Sequence, residues 1–412
     1  MPEPATSNQD QETMRGIIFY GAKDLRFSET IVAPKIEHSS DVIVDVHYCG
    51  ICGTDLKEYT DPNFFNSDVD QPNKLTGLTP PLCMGHEIAG IVTEIGEGVQ
   101  SIKIGDHVVI DPSVHCADIE RFPNSPLQEN HKCLQCKRGL TNTCDYSSLC
   151  GLGAQHGGLA EKFVCAERHV VVVPNSIPLE IAALTQPMAV SYHAVRIAQF
   201  KPGKSALILG CGAIGLVAIL CCYGFKASSV VVSEPSKIRR ENAERLGATT
   251  FDPSIYKGME NEDDIVIEEL RKLSPNNEGF DYTFDCSGFE TTFKAAVEAC
   301  ASNGTIVNVA IWGKKPINFW PMSITKHEKT LMGSMCYTRE DFEGVLKCFE
   351  EGSIDINLTR NLITTVVSLE NGIKGGFEHL YKNKKTEIKV LITPNNHGEI
   401  EHAKTYTSVW ED

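Results

Sequence analysis

The sequence predicts an α/β protein in two parts: a barrel-like β domain and a doubly wound, parallel-sheet domain. Three observations predict it. Residues 14–185 read mainly as short β runs separated by glycine turns. From about residue 187, strand-like and helix-like stretches alternate. A twenty-residue run without a charge, 205–224, is cut by a glycine cluster into a short strand and an apolar helix. A block of strands followed by regular alternation is the pattern of a β domain joined to a sheet with helices on both faces.

The β part opens with DVIVDVHYCG (41–50), which alternates and ends in glycine. EIAGIVTEIGEGVQSIKIGDHVVIDP (87–112) gives two β-rich runs around Gly-Glu-Gly, then a third after Ile-Gly-Asp. In the second part SALILG is a buried strand, GAIGLVAILCCYG a helix and SSVVVSEP a second strand. KIRRENAERLGA is a helix closed by glycine, and TTFDP is strand-like. DYTFDCSG and GTIVNVAIWG are later strands, with the helix TTFKAAVEACA between them. In REDFEGVLKCFEEG, Phe342, Val345, Leu346 and Phe349 recur at helical spacing and predict a core-facing stripe. KVLITP is a last strand. A lone helix and strand cannot bury their own faces, so this tail is expected to return to the first domain. The expected organisation is a disordered lead-in over 1–13, the β domain over 14–187, the parallel-sheet domain over 188–338, a return segment over 339–395 and a flexible tail over 396–412.

The 412 residues carry a formal charge of −16. A field of that sign repels phosphate backbones and anionic lipid, so neither nucleic acid nor a membrane surface is an expected partner. The start, MPEPATSNQDQET, has no basic region and no apolar h-region, so it does not read as a signal peptide. The expected compartment is therefore reducing and cytoplasmic. There the 16 cysteines are thiols or metal ligands. Cys83, Cys150, Cys165, Cys221, Cys222, Cys300 and Cys348 read as small core hydrophobes. The 205–224 run is long enough to span a membrane, but its glycine break marks two buried elements instead.

Gly210-Cys211-Gly212-Ala213-Ile214-Gly215 is G-x-G-x-x-G between a predicted strand and a predicted helix. The first glycine permits a tight turn, the second lets the backbone approach a pyrophosphate, and the third allows close helix–strand contact. Glu234 ends the second strand, where a carboxylate can accept the ribose hydroxyls of NAD and repel the 2′-phosphate of NADP. Lys237, Arg239 and Arg240 come directly after it and leave room for some NADP tolerance. S-adenosylmethionine enzymes also use a glycine-rich turn with an acid after the second strand.

HKCLQCKRGLTNTC (131–144) sets Cys133, Cys136 and Cys144 at C-x2-C-x7-C spacing. Tetrahedral zinc needs four ligands, and Cys116 is the nearest upstream thiol. A four-cysteine site is closed, so it would pin a loop. A second set pairs Cys52 of GICGTD with His86 and Glu87 of MGHEIAG. Cysteine, histidine and carboxylate make an open zinc site with a position left for substrate. Asp55 could accept the second ring N–H of His86.

With these residues in view, the chain resembles the zinc-dependent medium-chain alcohol dehydrogenases, and within them the butanediol dehydrogenase and diacetyl reductase group. CGICGTDLKEYTD, MGHEIAG, GDHVVIDP, CLQCKRG, GGLAEKFV, QPMAVSYHAV, ALILGCGAIGL, GFDYTFDCSG, LMGSMCYT and ITPNNHGE carry the resemblance. It implies a GroES-like β domain interrupted by a Rossmann domain, with the active site in the cleft between them. It implies NAD and two zinc ions per chain, one catalytic and one structural. Cys52 and His86 are then catalytic ligands, with Glu87 able to approach or ligate the metal. Gln186 stands where polyol-type relatives carry a glutamate, and as a neutral amide it is a poorer ligand. Thr54 is the hydroxyl that receives the substrate proton. Lys57 stands where many relatives have a histidine relay to solvent. The implied reaction interconverts a small vicinal diol or secondary alcohol and its ketone, (R,R)-2,3-butanediol and acetoin foremost, or reduces diacetyl. The implied assembly is a homodimer, with a tetramer as the other form found among relatives. Competing readings are a sorbitol, xylitol or threonine dehydrogenase, a zinc-ribbon binding protein, and a methyltransferase.

Overall fold

The computed structural model describes residues 12–60 and 71–395. The lead-in read over 1–13 lies outside them as far as residue 11, and the tail read over 396–412 lies wholly outside. Contacts divide the chain into two units. One holds the residues up to Val173 with Thr365–Lys382 and the segment from Val390 onward; the other holds Pro174–Thr364 and Asn383–Lys389.

The first unit is built on antiparallel pairing. Its central strand, Asp41–Gly50, pairs with Glu87–Ile95 on one side and with Lys162–Ala166 and the end of the chain's last strand on the other. Glu87–Ile95 continues to His107–Ile110, and that strand to Val170–Val172. The sequence suggests that 41–50 alternates, but Val42, Ile43 and Val44 are all fully buried. Consecutive burial marks a strand covered on both faces, where β-branched side chains pack well. The register pairs Gly50 with Glu87 and Cys49 with Ile88. Antiparallel pairing sets the end of one strand beside the start of the other. Residues just after Gly50 and just before Glu87 therefore meet at one edge of the sheet.

The second unit is a six-stranded, wholly parallel sheet. Its strands run in the order Thr249–Phe251, Ser229–Ser233, Ser205–Leu209, Phe280–Asp285, Cys300–Asn308, Thr330–Gly333. That is the doubly wound order, with the reversal beside Ser205–Leu209. Leu207, Leu209, Val231, Phe280 and Ile306 share its core. The uncharged run does split, into Ser205–Leu209 and the helix Ala213–Gly224. Among the described residues no helix is long and apolar enough to cross a membrane. Helix Arg339–Glu350 buries Phe342, Val345, Leu346 and Phe349, as their spacing suggests. None of the sixteen cysteines is in a disulfide. Cys83, Cys150 and Cys165 pack in the first unit's core, Cys221, Cys222 and Cys300 are buried, and Cys348 is half-buried.

Candidate active site

The sheet edge at Gly50 and Glu87 gathers a thiol, an imidazole and a carboxylate. The donor atoms of Cys52, His86 and Glu87 all lie within 4.8 Å of one another. Helix Gly53–Thr60 begins here, and its first turn is tied to the site. The Cys52 carbonyl accepts from Leu56, and the Asp55 carboxylate reaches back to the Cys52 N–H at 2.9 Å. This is half of a capping box, which fixes both Cys52 and Asp55. Asp55 is fully buried, and its second oxygen faces His86 Nδ1 at 3.2 Å. Neither of these two atoms has a hydrogen-bond partner among the described residues. The other ring nitrogen, Nε2, lies 3.2 Å from the Thr54 hydroxyl. Burial pulls the imidazole pKa down, but Asp55 and the Cys52 thiol facing it raise it well above the ordinary histidine value. Glu87 fits because Gly50 stands opposite: a Cβ on Gly50 would come 2.0 Å from Glu87 Oε2. Lys57 is exposed one turn along the helix.

These donors suit zinc. Sulfur, imidazole and carboxylate bind it at about 2.0–2.3 Å, and three protein ligands leave an open position. The negative groups that hold a proton on His86 would hold a dication in its place. Asp55 behind His86 is the carboxylate–histidine arrangement that fixes a ligand's tautomer.

Cys116, Cys133, Cys136 and Cys144 form the second donor group, again with all atoms within 4.8 Å. Cys144 Sγ lies 3.5 Å from Cys116 Sγ and 3.8 Å from Cys133 Sγ. Zinc–sulfur bonds of about 2.3 Å in a tetrahedron give sulfur–sulfur edges of about 3.8 Å, so the cluster has the size of a closed zinc site. Burial pushes the Cys133 thiol up, but N–H groups of Cys136 and Asp145 bring it down to about 7. Burial raises Cys144 to about 11. Four thiolates at this spacing need a cation to coexist. The lobe is anchored by the buried Asp118, two residues past Cys116. It accepts from Arg168 Nε at 2.8 Å and meets His169 Nε2 at 2.8 Å. Burial raises its carboxyl, but the His169 contact with the charges of His115 and Arg168 leaves it well below the ordinary range.

In the second unit Gly210 adopts φ +90°, and a Cβ there would meet Ser287 Oγ at 1.9 Å. At Gly215 a Cβ would come 2.0 Å from the Gly210 carbonyl, whereas at Gly212 it would meet nothing within 4 Å. Gly212 caps helix Ala213–Gly224 without a side-chain hydrogen bond. The helix start is thus an open cradle of N–H groups that suits a pyrophosphate. The Ile214 carbonyl accepts from Ser191 at 3.0 Å, which seats the first turn. Glu234 is buried and accepts from the Cys211 and Ser236 N–H groups at 2.8 and 2.9 Å. Arg239 lies 3.9 Å from the same carboxylate.

Gln186 lies at the start of helix Thr185–Ile197, 6% exposed. Its Nε2 donates to the Tyr337 hydroxyl at 2.8 Å, and its Oε1 has no partner among the described residues. Sequence reasoning does not find Tyr337, 151 positions away.

An antiparallel β unit holding two zinc-type donor sets, with a doubly wound unit holding a glycine-turn cradle, defines a zinc-dependent medium-chain dehydrogenase. The family comparison agrees. Residues 38–175 match the alcohol dehydrogenase GroES-like domain, and residues 213–351 match the zinc-binding dehydrogenase domain. The chain belongs to the zinc-binding alcohol dehydrogenase family. It is 45% identical over 387 residues to a probable (R)-acetoin-forming diacetyl reductase of Saccharomyces cerevisiae, covering 94% of this chain and 92% of that one. It is 42% identical to the (R,R)-butanediol dehydrogenase of the same organism, covering 94% and 100%. The crystal structure of 2R,3R-butanediol dehydrogenase from Bacillus subtilis superposes with a TM-score of 0.79 at 31% identity, covering 93% of this chain and all of that one.

Proposed function

We propose that this chain is a zinc-dependent, NAD-linked dehydrogenase interconverting a small vicinal diol and its hydroxyketone, with (R,R)-2,3-butanediol and acetoin as the best-supported pair and diacetyl as a further ketone. The observation that carries the reading is the Cys52–His86–Glu87 donor set, in a chain so similar to relatives named for these substrates. When bound, zinc supplies a Lewis acid for the substrate oxygen, and the nicotinamide supplies the hydride acceptor. The protein's own groups do the rest. Thr54, beside His86 Nε2, takes the hydroxyl proton from the substrate. Lys57 lies three residues along the helix, a spacing that shares one face, and is the candidate relay, its ammonium giving a proton to solvent as it takes the one that Thr54 passes on. Asp55 holds His86 in orientation. Gly210, Gly212, Ile214 and Gly215 seat the pyrophosphate, and Glu234 receives the ribose. A rate assay following NADH with 2,3-butanediol stereoisomers, acetoin and diacetyl tests the reading. Preferential oxidation of a single small diol supports it, and turnover confined to sorbitol, xylitol or threonine overturns it.

Cofactor choice gives a sharper test. Glu234→Gln keeps one oxygen, enough for either the Cys211 or the Ser236 N–H but not both, and removes the charge that faces Arg239 and would repel a 2′-phosphate. The ratio of kcat/KM for NADP to that for NAD is expected to rise on the order of tenfold, about 1.4 kcal/mol. An unchanged ratio in steady-state kinetics contradicts the role given to Glu234.

We further propose a homodimer. The strand Thr330–Gly333 ends the parallel sheet, and Leu331, Ile311, Trp320 and Met322 stand exposed at 39%, 57%, 67% and 46% in its vicinity along the chain. An apolar edge strand is a template for pairing with another chain. Leu331→Glu is expected to shift the sedimenting species from dimer to monomer while the circular dichroism stays the same. A wild type that sediments as a monomer contradicts this. A reducing, cytoplasmic setting fits sixteen cysteines of which none is in a disulfide.

A further inference from the structure

The first unit holds a groove of about 980 Å³, a size usual for small-molecule sites. Its lining comes from residues 12–41, 81–83, 121–122 and 155–164, all within that unit. None of the donors in the two metal sets borders it. Much of the wall is apolar: Met14, Ile18, Cys83, Phe122 and Phe163 line it and are buried. Set among them is one guanidinium. Arg121 closes the short helical turn Cys116–Arg121, and its side chain is only 10% exposed. The buried Asp41 accepts from Arg121 Nη1 and from the N–H groups of Glu37 and His38, both at 2.9 Å. One carboxylate thus fixes the guanidinium against the turn at 37–41. Among the described residues nothing else accepts from Arg121. Its Nε and Nη2 remain, the edge that takes a carboxylate through two parallel hydrogen bonds. Neither nitrogen is sealed from solvent, and the groove is the space that Arg121 lines. The other carboxylates of the groove are engaged elsewhere. Glu12 pairs with Lys162 at 2.7 Å, and Glu37 faces Lys35 at 3.9 Å.

We infer that this groove is a binding site for a free medium-chain carboxylic acid. The carboxylate takes the Nε–Nη2 edge of Arg121, and the alkyl chain lies along Phe122, Phe163, Ile18 and Met14. Each half of such a ligand answers one half of the site. A guanidinium held away from bulk water, with donors to spare, gains most from a charged, two-oxygen acceptor. An apolar wall gains from every methylene that covers it. A short anion leaves the wall wet, and a neutral chain leaves the charged edge to water. The site uses neither the metal donors nor the glycine cradle, so it stands independently of the proposed reaction.

The test is titration calorimetry on the zinc-loaded full chain with octanoate, octanamide and acetate. Octanoate is expected to bind about tenfold tighter than octanamide, which keeps the chain without the charge, and acetate to give no heat at the same concentrations. Cys52→Ser should bind octanoate as the wild type does, because the groove contains none of the catalytic metal's donors. Arg121→Gln should weaken octanoate about tenfold and leave octanamide within about twofold. Val32 is exposed and also lines the groove. Val32→Asp leaves the Arg121–Asp41 pair in place and adds a repelling charge, so it should weaken octanoate about threefold with the circular dichroism unchanged. If Arg121→Gln does not fold, Val32→Asp decides. Octanoate binding that disappears in Cys52→Ser puts the carboxylate on the catalytic metal and overturns the inference. So does a wild type that gives no heat with octanoate or binds octanamide equally well, or an octanoate affinity unchanged in both groove variants.

Discussion

Cys52→Ser is expected to lower turnover of the diol by roughly a thousandfold or more, about 4 kcal/mol, while NADH still binds with wild-type affinity. Serine is shorter than cysteine and keeps its proton at neutral pH, so the metal loses its one sulfur ligand. The local fold has no reason to change. The Cys52 N–H still meets Asp55, and its carbonyl still opens helix Gly53–Thr60. The cradle at Gly212 belongs to the other unit and contains none of these groups. Stopped-flow fluorescence for NADH and a steady-state assay for the diol separate the two effects. Loss of both together would point to misfolding. Full activity would remove Cys52 from the metal site.

Cys136→Ser is expected to act on stability first. Cys116, Cys133 and Cys144 are 3%, 6% and 5% exposed and face one another at sulfur-contact distances. With a fourth thiolate and a bound ion they would form a closed cross-link over a stretch of loops. Without it, the lobe loses the cross-link and keeps thiols crowded together in its interior. A closed zinc site contributes folding free energy directly. A loss of about 3 kcal/mol, seen as a fall of roughly 10 °C in Tm, is the expected result. Zinc content should fall from two ions to one per chain, and protein that remains folded at 25 °C should keep its kcat. An unchanged melting curve would mean that the four thiols do not share a metal.

Legibility in the sequence tracks the range of the interaction. The glycine turn is local: Gly210, Gly212 and Gly215 lie within six residues, between a strand and a helix whose periods differ, so fold and cradle can be read together. The spacing of Cys133, Cys136 and Cys144 is equally local. Cys116 is reached only by counting ligands. Cys52 and His86 can be suspected as residue types, but their meeting depends on the register that pairs Gly50 with Glu87. No local pattern encodes that register. Gly50 reads as a strand end, and the structure shows it also as the space Glu87 occupies. The Asp118–His169 and Gln186–Tyr337 contacts span 51 and 151 positions and leave no periodic trace. The edge strand Thr330–Gly333 escapes a reading of the sequence because its four residues lack an apolar alternation and have a sheet neighbour on one side only.

A metal held by Cys52, His86 and Glu87 is expected to be required for hydride transfer from the alcohol. The most direct measurement follows zinc per chain and diol turnover together during stepwise chelation and zinc re-addition, with circular dichroism recorded at each step. The expected result is two zinc ions per chain at full rate, loss of turnover with the first ion removed while the fold persists, and recovery when zinc returns. Protein stripped of both ions that still oxidises the diol at its full rate would contradict it.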